Sequence, residues 1–117
     1  MRPQRPRVIA VDFDGTICKN AWPDIGEPNT ELIETLIAWR KLGTQIILWT
    51  RREGDYLQQA VDWCKEHGLE FDAVNDNTKA QKQYFGNNPR KVGADYYIDD
   101  KNAVFYKIGP KPEILHP

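Results

Sequence analysis

The sequence lacks any long apolar run, and this absence limits where the chain can reside. No stretch approaches the roughly 18 consecutive apolar residues that a membrane-spanning helix requires. The opening segment MRPQRPR carries three arginines, but only four apolar residues follow it before Asp12, too few for a secretory signal. We therefore expect a cytoplasmic protein without a membrane segment, in which residues 1–7 form a basic, flexible tail.

Cysteine and net charge are also scarce. The two cysteines, Cys18 and Cys64, have no metal-ligand spacing, and thiols of a cytoplasmic protein stay reduced, so we expect both to be structural. The formal net charge of −1 gives the chain no overall field that attracts nucleic acid. Arg2, Arg5 and Arg7 offer at most local contacts with phosphates.

The sequence does contain a regular alternation of strand-like and helical segments. Val8 to Val11 is a continuous apolar run, typical of a strand buried on both faces of a parallel sheet. Apolar residues at helical spacing predict a first helix, which Asn29 or Thr30 can cap at its start. A second helix is predicted where Asp55 and Gln58 have the spacing of a capping box. Further segments predict strands over Thr44 to Trp49, Phe71 to Val74, Ala94 to Ile98 and Val104 to Ile108, and a short helix over Ala80 to Phe85.

This order predicts a single α/β domain that spans residues 1–117, with a C-terminal tail over residues 109–117. The predicted fold is a doubly wound, Rossmann-like sheet of about five mostly parallel strands flanked by helices. In such sheets, ligands bind in the crevice at the carboxyl ends of the strands. The candidate functional residues are therefore those that directly follow the predicted strands.

Polar side chains follow three of these strands. Asp12 and Asp14 follow the first strand, and Thr50 follows the second. Asp99 and Asp100 follow the fourth, so the aspartates should meet at one edge of the sheet. Carboxylates that converge in a small volume repel one another unless a cation lies among them. In sites that also bind phosphate, this cation is most often Mg²⁺, a hard divalent ion that prefers oxygen ligands. The sequence therefore predicts a Mg²⁺ site at this edge.

The same residues resemble the motifs of the haloacid dehalogenase (HAD) superfamily. DFDGT, which contains Asp12, Asp14 and Thr16, resembles the first motif, and Thr50 in IILWT resembles the second. The aspartate pair that ends YYIDD resembles the fourth motif. The resemblance covers residues 8 to about 100, with the motifs in order.

The lysine of the third motif has three candidates. Lys91 in RKVGADYYIDD is preferred, because its distance from the terminal aspartates is similar to that in relatives with a K-x-x-A-D-x-Y-I-D-D run. Lys79 and Lys82 lie in the same connection and are the alternatives.

The resemblance implies phosphoryl transfer through an aspartyl-phosphate. Asp12 is then the nucleophile, and Asp14 acts first as general acid and then as general base. Thr50 and Lys91 hold the oxygens of the transferring phosphoryl group. The resemblance also implies that Asp12, Asp99 and the backbone carbonyl of Asp14 bind Mg²⁺, with Asp100 bound directly or through water.

The function implied is that of a Mg²⁺-dependent phosphatase, which hydrolyses a phosphomonoester. Relatives that cleave carbon–halogen bonds do not resemble this chain at Asp14, so dehalogenation is not favoured. Two alternatives stay open: a non-catalytic metal-binding module, and a phosphotransferase that acts on a nucleotide or a nucleic-acid end. In phospho-accepting receiver domains the acidic pair comes first along the chain, whereas in this chain the double aspartate comes last. The order of the motifs therefore argues against a receiver domain.

Larger members of the superfamily insert a cap domain that closes over the substrate. The two connections at which caps occur, 17–28 and 75–93, have 12 and 19 residues here, whereas an independently folding unit needs on the order of 40. We therefore expect no cap domain, and a short flap over Lys19 to Pro28 in its place. Two arrangements could then cover the site. The phosphorylated substrate could itself be a macromolecule that covers it, or a second copy of the chain could supply the missing lid.

Several further residues are candidates for contacts with the substrate. Thr16 and Arg51 are predicted to contact it directly. Arg52 is predicted either to contact phosphate or to be solvated at the surface. The flap offers three more candidates, Asn20, Trp22 and Asp24.

Overall fold

The centre of the fold is a four-stranded parallel sheet. The computed structural model describes residues 4–101, 104–108 and 111–115 of the chain. The inner strands are β1 (Val8–Val11) and β4 (Gln45–Leu48), and the outer strands are β5 (Ala73–Val74) and β6 (Tyr96–Ile98). The order across the sheet is β5-β4-β1-β6, and every neighbouring pair is parallel. The predicted α/β fold with a mostly parallel sheet is confirmed.

A hairpin and three helices connect these strands. The hairpin of β2 (Cys18–Ala21) and β3 (Asp24–Pro28) follows β1, and α1 (Thr30–Lys41) then leads to β4. The helix α2 (Gly54–Glu66) lies between β4 and β5, and α3 (Lys79–Phe85) lies between β5 and β6. Asn29 caps α1 as predicted, because its side chain accepts a hydrogen bond from the backbone N–H of Leu32.

The strand β1 is buried on both faces. Ile9 and Val11 belong to a hydrophobic cluster with residues of α1 and α2. Val8 and Ala10 belong to a second cluster, which includes Val92. Because side chains alternate between the two faces of a strand, burial of both faces requires the continuous apolar run that the sequence shows.

Both cysteines are buried and free. Cys18 begins β2, and its Sγ lies 3.8 Å from the carbonyl oxygen of Phe13. Cys64 lies on α2, and burial raises the pKa of its thiol to about 12. Burial also raises the pKa of Cys18.

The capping box predicted at the start of the second helix is wrong. The N-cap of α2 is Glu53, whose side chain makes no capping hydrogen bond. Gln58 instead donates to Asp62, one turn along the helix. A capping box does occur at α3, where the side chains of Thr78 and Gln81 each bond to the backbone of the other residue.

The C-terminal part differs from the prediction of a fifth strand followed by a tail. Strand β7 (Val104–Ile108) pairs in antiparallel register with β8 (Lys111–Leu115), and the two form a separate sheet. Two residues separate these strands, a spacing at which a hairpin satisfies their backbone hydrogen bonds locally. Residues 109, 110, 116 and 117 of the predicted tail lie outside the described residues.

The basic segment at the start of the chain is attached to the sheet over its described part. The backbone N–H of Gln45 donates to the carbonyl oxygen of Arg7 at 2.8 Å. Arg5 forms an ion pair with Asp95 at 2.8 Å. Residues 1–3 lie outside the described residues.

Neither short connection holds an inserted domain within the described residues. The connection 17–28 contains the β2–β3 hairpin, and the connection 75–93 contains α3 and a loop. Over these same described ranges, no helix combines the length and apolarity needed to cross a membrane.

Candidate active site

The candidate site lies where the strand order of the sheet reverses. The chain passes outward from β1 to β4 and β5, and then returns to place β6 on the opposite side of β1. Asp12 directly follows β1, and its backbone N–H donates to the carbonyl oxygen of Ile98 at 2.9 Å. Asp99 follows Ile98, so the two aspartates leave neighbouring strands side by side. This is the crevice in which doubly wound sheets bind ligands.

Three carboxylates converge in this crevice. Asp12, Asp99 and Asp100 each place one carboxylate oxygen within 4.8 Å of the others. Burial raises the pKa of Asp12 to about 6, and the negative charges of Asp99, Asp100 and Asp14 act in the same direction. A set of hard oxygen donors that repel one another fits a hard divalent cation such as Mg²⁺. Three of the four predicted metal ligands are therefore brought together, and the carboxylate of the fourth, Asp14, does not belong to this group.

The turn after Asp12 fixes the position of Asp100. Gly15 has φ +84°, and a Cβ atom at this position would collide with the carboxylate of Asp100. Thr16 is buried, and its Oγ1 accepts a hydrogen bond of 3.1 Å from the backbone N–H of Asp100. The Thr16 hydroxyl thus binds the backbone of the aspartate pair, and its contact with substrate stays a prediction.

Arg52 holds the second aspartate of DFDGT. Its side chain is buried, and its Nε and Nη2 donate to the two carboxylate oxygens of Asp14, each at 2.8 Å. Nη2 also donates to the carbonyl oxygen of Asp24 in β3 at 3.1 Å. The guanidinium lies 4.8 Å from the ring centroid of Trp22 and 5.1 Å from that of Phe13. Arg52 is therefore not a solvated surface residue, and it links the turn after Asp12 to the hairpin.

A cavity of about 480 Å³ lies over these residues. Thr50 lines it, with Oγ1 accepting from the backbone N–H of Arg52 and its own N–H donating to Asn75. Arg51, a predicted substrate contact, is exposed and also lines it. The complete lining consists of Asp12, Asp14, Asn20, Trp22, Thr50, Arg51, Arg52 and Lys101.

The predicted phosphate-binding lysines do not line this cavity. Lys91 and Lys79 are exposed. Lys82 forms an ion pair with Asp76 at 2.7 Å. The lysine that does line the cavity is Lys101, whose Nζ lies 3.6 Å from the carboxylate of Asp100. The sequence signal for this residue is its place directly after the aspartate pair, which the motif comparison did not use.

Comparison with known proteins identifies one similar solved structure. No family model matches the chain, and no curated protein matches it. The structure of a conserved protein from Bacteroides thetaiotaomicron is 43% identical in sequence, with a TM-score of 0.72. The match covers 84% of this chain and 78% of that chain. The chain therefore belongs to the same protein family as this conserved protein of Bacteroides thetaiotaomicron.

Proposed function

We propose that the protein is a Mg²⁺-dependent phosphatase of the HAD type, which hydrolyses a phosphomonoester through an aspartyl-phosphate. One observation carries this proposal. Asp12, Asp99 and Asp100 converge at the carboxyl edge of the sheet, and Asp14 and Thr50 line the same cavity as Asp12. The resemblance of DFDGT and YYIDD to the superfamily motifs supports the same assignment.

In the first step, a carboxylate oxygen of Asp12 attacks phosphorus. The bond between phosphorus and the leaving oxygen breaks, and that oxygen takes a proton from Asp14. Both carboxylate oxygens of Asp14 accept hydrogen bonds from Arg52 in this structure. Asp14 must therefore release at least one of these bonds to carry a proton.

In the second step, water attacks the phosphorus of the aspartyl-phosphate. Asp14, now ionised, takes a proton from this water as the bond between phosphorus and Asp12 breaks. Inorganic phosphate leaves, Asp12 is again a free carboxylate, and Asp14 is again protonated. Each residue ends in its starting state.

The remaining residues of the cavity suit the charge of the phosphoryl group. Asp12, Asp99 and Asp100 would hold Mg²⁺, which when bound offsets the repulsion between the Asp12 carboxylate and the phosphate. The Thr50 hydroxyl and the cationic side chains of Arg51 and Lys101 are placed to hold phosphoryl oxygens. Lys91 stays a prediction for this role.

The nucleophile is tested with the Asp12→Asn variant. We expect wild-type protein to hydrolyse p-nitrophenyl phosphate with Mg²⁺ and to stop when a chelator is added. Asp12→Asn should fall to the uncatalysed rate, because an amide does not attack phosphorus. Asp62→Asn, which changes an exposed aspartate of α2, is the matched control and should keep wild-type activity. Undiminished hydrolysis by Asp12→Asn would refute the assignment.

Mg²⁺ binding separates an enzyme from a non-catalytic metal-binding module. Titration calorimetry should show Mg²⁺ binding to the wild type, weakened roughly 10-fold or more in Asp99→Ala, because a ligand is lost. Mg²⁺ binding without turnover of any phosphomonoester would support the non-catalytic module, which the position of Lys91 outside the cavity favours.

A further inference from the structure

Two exposed aromatic rings lie together at the edge of the candidate site. Trp22, between β2 and β3, is 54% exposed and lines the same cavity as Asp12. Its ring centroid lies 5.0 Å from that of Tyr56, which belongs to the first turn of α2 and is 45% exposed. Rings of this size usually bury most of their surface, so two adjacent exposed rings beside a cavity are informative. We call this pair the aromatic shelf.

Contacts with Arg52 and Asn20 hold the Trp22 ring of the shelf in place. The guanidinium of Arg52 lies 4.8 Å from the ring centroid of Trp22, and it is itself bound to Asp14. The backbone N–H of Trp22 donates to Oδ1 of Asn20 at 3.2 Å, which fixes the turn. The position of the indole ring is therefore coupled to the position of the second aspartate of DFDGT.

We propose that the aromatic shelf binds the base of a nucleotide whose phosphate lies at Asp12, an inference that rests on the proposed phosphatase function. Aromatic side chains bind nucleobases by stacking, which tolerates any base because every base has a π-face. The cavity volume of about 480 Å³ lies within the usual range for small-molecule sites. Arg51 and Lys101 add the positive charge that an anionic ligand requires.

The polar lining favours a nucleotide over a phosphorylated tyrosine. The amide NH₂ of Asn20 has no hydrogen-bond partner among residues 4–101, and it lines the cavity with Arg51. A nucleoside offers ribose hydroxyls and base-edge atoms to such donors, whereas the phenyl ring of a tyrosine phosphate offers none. The nucleotide is either free or the terminal unit of a strand, and both present the same chemistry to the shelf.

The test compares two substrates that differ only by the base. Adenosine 5′-monophosphate and ribose 5-phosphate share the phosphate and the sugar. We expect wild-type kcat/KM to be higher for adenosine 5′-monophosphate, and Trp22→Leu to lower that value by about 5- to 150-fold, the range of base–aromatic stacking. Because the Trp22 ring also packs on Arg52, any change in kcat/KM for ribose 5-phosphate measures the effect on Asp14, and the ratio of the two kcat/KM values measures the loss of stacking. Trp22→Phe keeps a stacking ring and should retain most of the preference.

Trp39→Leu is the matched control, because Trp39 is 39% exposed on α1 and does not line the cavity. It should behave as the wild type. A binding measurement needs no turnover: adenosine, which lacks phosphate, should bind the wild type more tightly than ribose does, and Trp22→Leu should remove this difference. Equal binding of adenosine by both proteins would overturn the inference.

The remaining outcomes separate the shelf from the chemistry. If ribose 5-phosphate and adenosine 5′-monophosphate are hydrolysed equally well, the shelf proposal fails and the phosphatase proposal stands. If neither is hydrolysed and p-nitrophenyl phosphate is not hydrolysed either, the phosphatase proposal fails and adenosine binding decides the shelf. Faster hydrolysis of a phosphotyrosine peptide than of either nucleotide substrate overturns the shelf proposal. A 5′-phosphorylated oligonucleotide, compared with the free nucleotide, identifies which source the site prefers.

Discussion

Gly15 is the residue at which backbone conformation and the candidate metal site meet. Its positive φ of +84° is a conformation that other residues adopt only with strain. Its missing side chain also leaves the space that the Asp100 carboxylate occupies. Gly43 offers a comparison, because it too has a positive φ, of +103°, but no atom lies within 4 Å of the position of its absent Cβ.

We predict that Gly15→Ala weakens Mg²⁺ binding by roughly 10-fold or more, since the new methyl group displaces Asp100. Gly43→Ala should carry a similar backbone strain of about 1–2 kcal/mol in unfolding free energy without changing Mg²⁺ affinity. Calorimetry for Mg²⁺ and denaturant unfolding measure the two quantities. Equal Mg²⁺ affinities in the two variants would contradict the steric argument.

Arg52 and Arg51 are neighbours in sequence with different surroundings. Arg52 makes a two-point bond to Asp14, whereas Arg51 is exposed in the cavity. We predict that Arg52→Lys lowers the free energy of unfolding by about 1–3 kcal/mol, because lysine cannot reproduce the planar two-point contact. Arg51→Lys should stay within about 0.5 kcal/mol of the wild type. Urea denaturation checks both values, and similar losses in the two variants would contradict this role.

The same variant bears on the proposed chemistry. With Asp14 held less accurately, Arg52→Lys should slow hydrolysis of substrates with poor leaving groups more than of those with good ones, because only poor leaving groups need a proton from Asp14. A panel of phenyl phosphates with graded leaving-group pKa measures the effect. Equal slowing across the panel would argue against Asp14 as the general acid.

At the scale of elements, the loop that carries Lys91 is tied to α3 and the residues before it. Asn77 is buried, and its amide donates to Oδ1 of Asn88 and to the carbonyl oxygen of Pro89. Its Oδ1 accepts from the backbone N–H of Gly93 at 2.8 Å. One side chain therefore anchors both ends of the loop, and the position of Lys91 depends on it.

We predict that Asn77→Ala lowers the free energy of unfolding by about 1–3 kcal/mol, because the substitution removes the three hydrogen bonds that this buried side chain makes to the loop. Asn87→Ala, at an exposed position in the same loop, should change it by less than about 0.5 kcal/mol. Urea unfolding followed by circular dichroism provides the comparison. The prediction is wrong if the two variants are equally stable.

The elements that the sequence predicted correctly are those specified by local pattern. The run at Val8–Val11 and the cap at Asn29 each depend on residues close in sequence. The aspartate cluster was also predictable, because the carboxyl ends of parallel strands meet at one edge of a doubly wound sheet, and Asp12 and Asp99 each follow a predicted strand. The pairing of Arg52 with Asp14 was not, since 38 residues separate them and only tertiary approach brings them together.

At the scale of the whole molecule, the candidate site is open. Within the described residues, the β2–β3 hairpin is the element that borders it, and no inserted domain stands over it. A site without a lid cannot exclude water around a small ligand, so a small phosphate gains little binding energy from one copy of the chain. The end of a nucleic-acid strand, or a second copy of the chain, would supply the missing wall.

We therefore predict that a monomer hydrolyses small phosphates slowly, with kcat/KM below about 10⁵ M⁻¹s⁻¹. Sedimentation velocity establishes the oligomeric state at the assay concentration, and steady-state kinetics give kcat/KM for each compound. A phosphorylated oligonucleotide should exceed the free nucleotide if the substrate itself covers the site. A monomer that turned over one small phosphate above that value would contradict the argument.

The two buried thiols can report how readily two different parts of the molecule open. Cys18 lies at the foot of the hairpin and Cys64 lies on α2 against the sheet. An alkylating reagent reaches each thiol only after the covering element has moved away, so the rate of modification reports the free energy of that opening. Mass spectrometry of the two labelled peptides would then measure the rate at which the hairpin opens separately from the rate at which α2 opens. A ligand that binds in the cavity beside the hairpin would slow the labelling of Cys18. The labelling of Cys64 would instead report global unfolding.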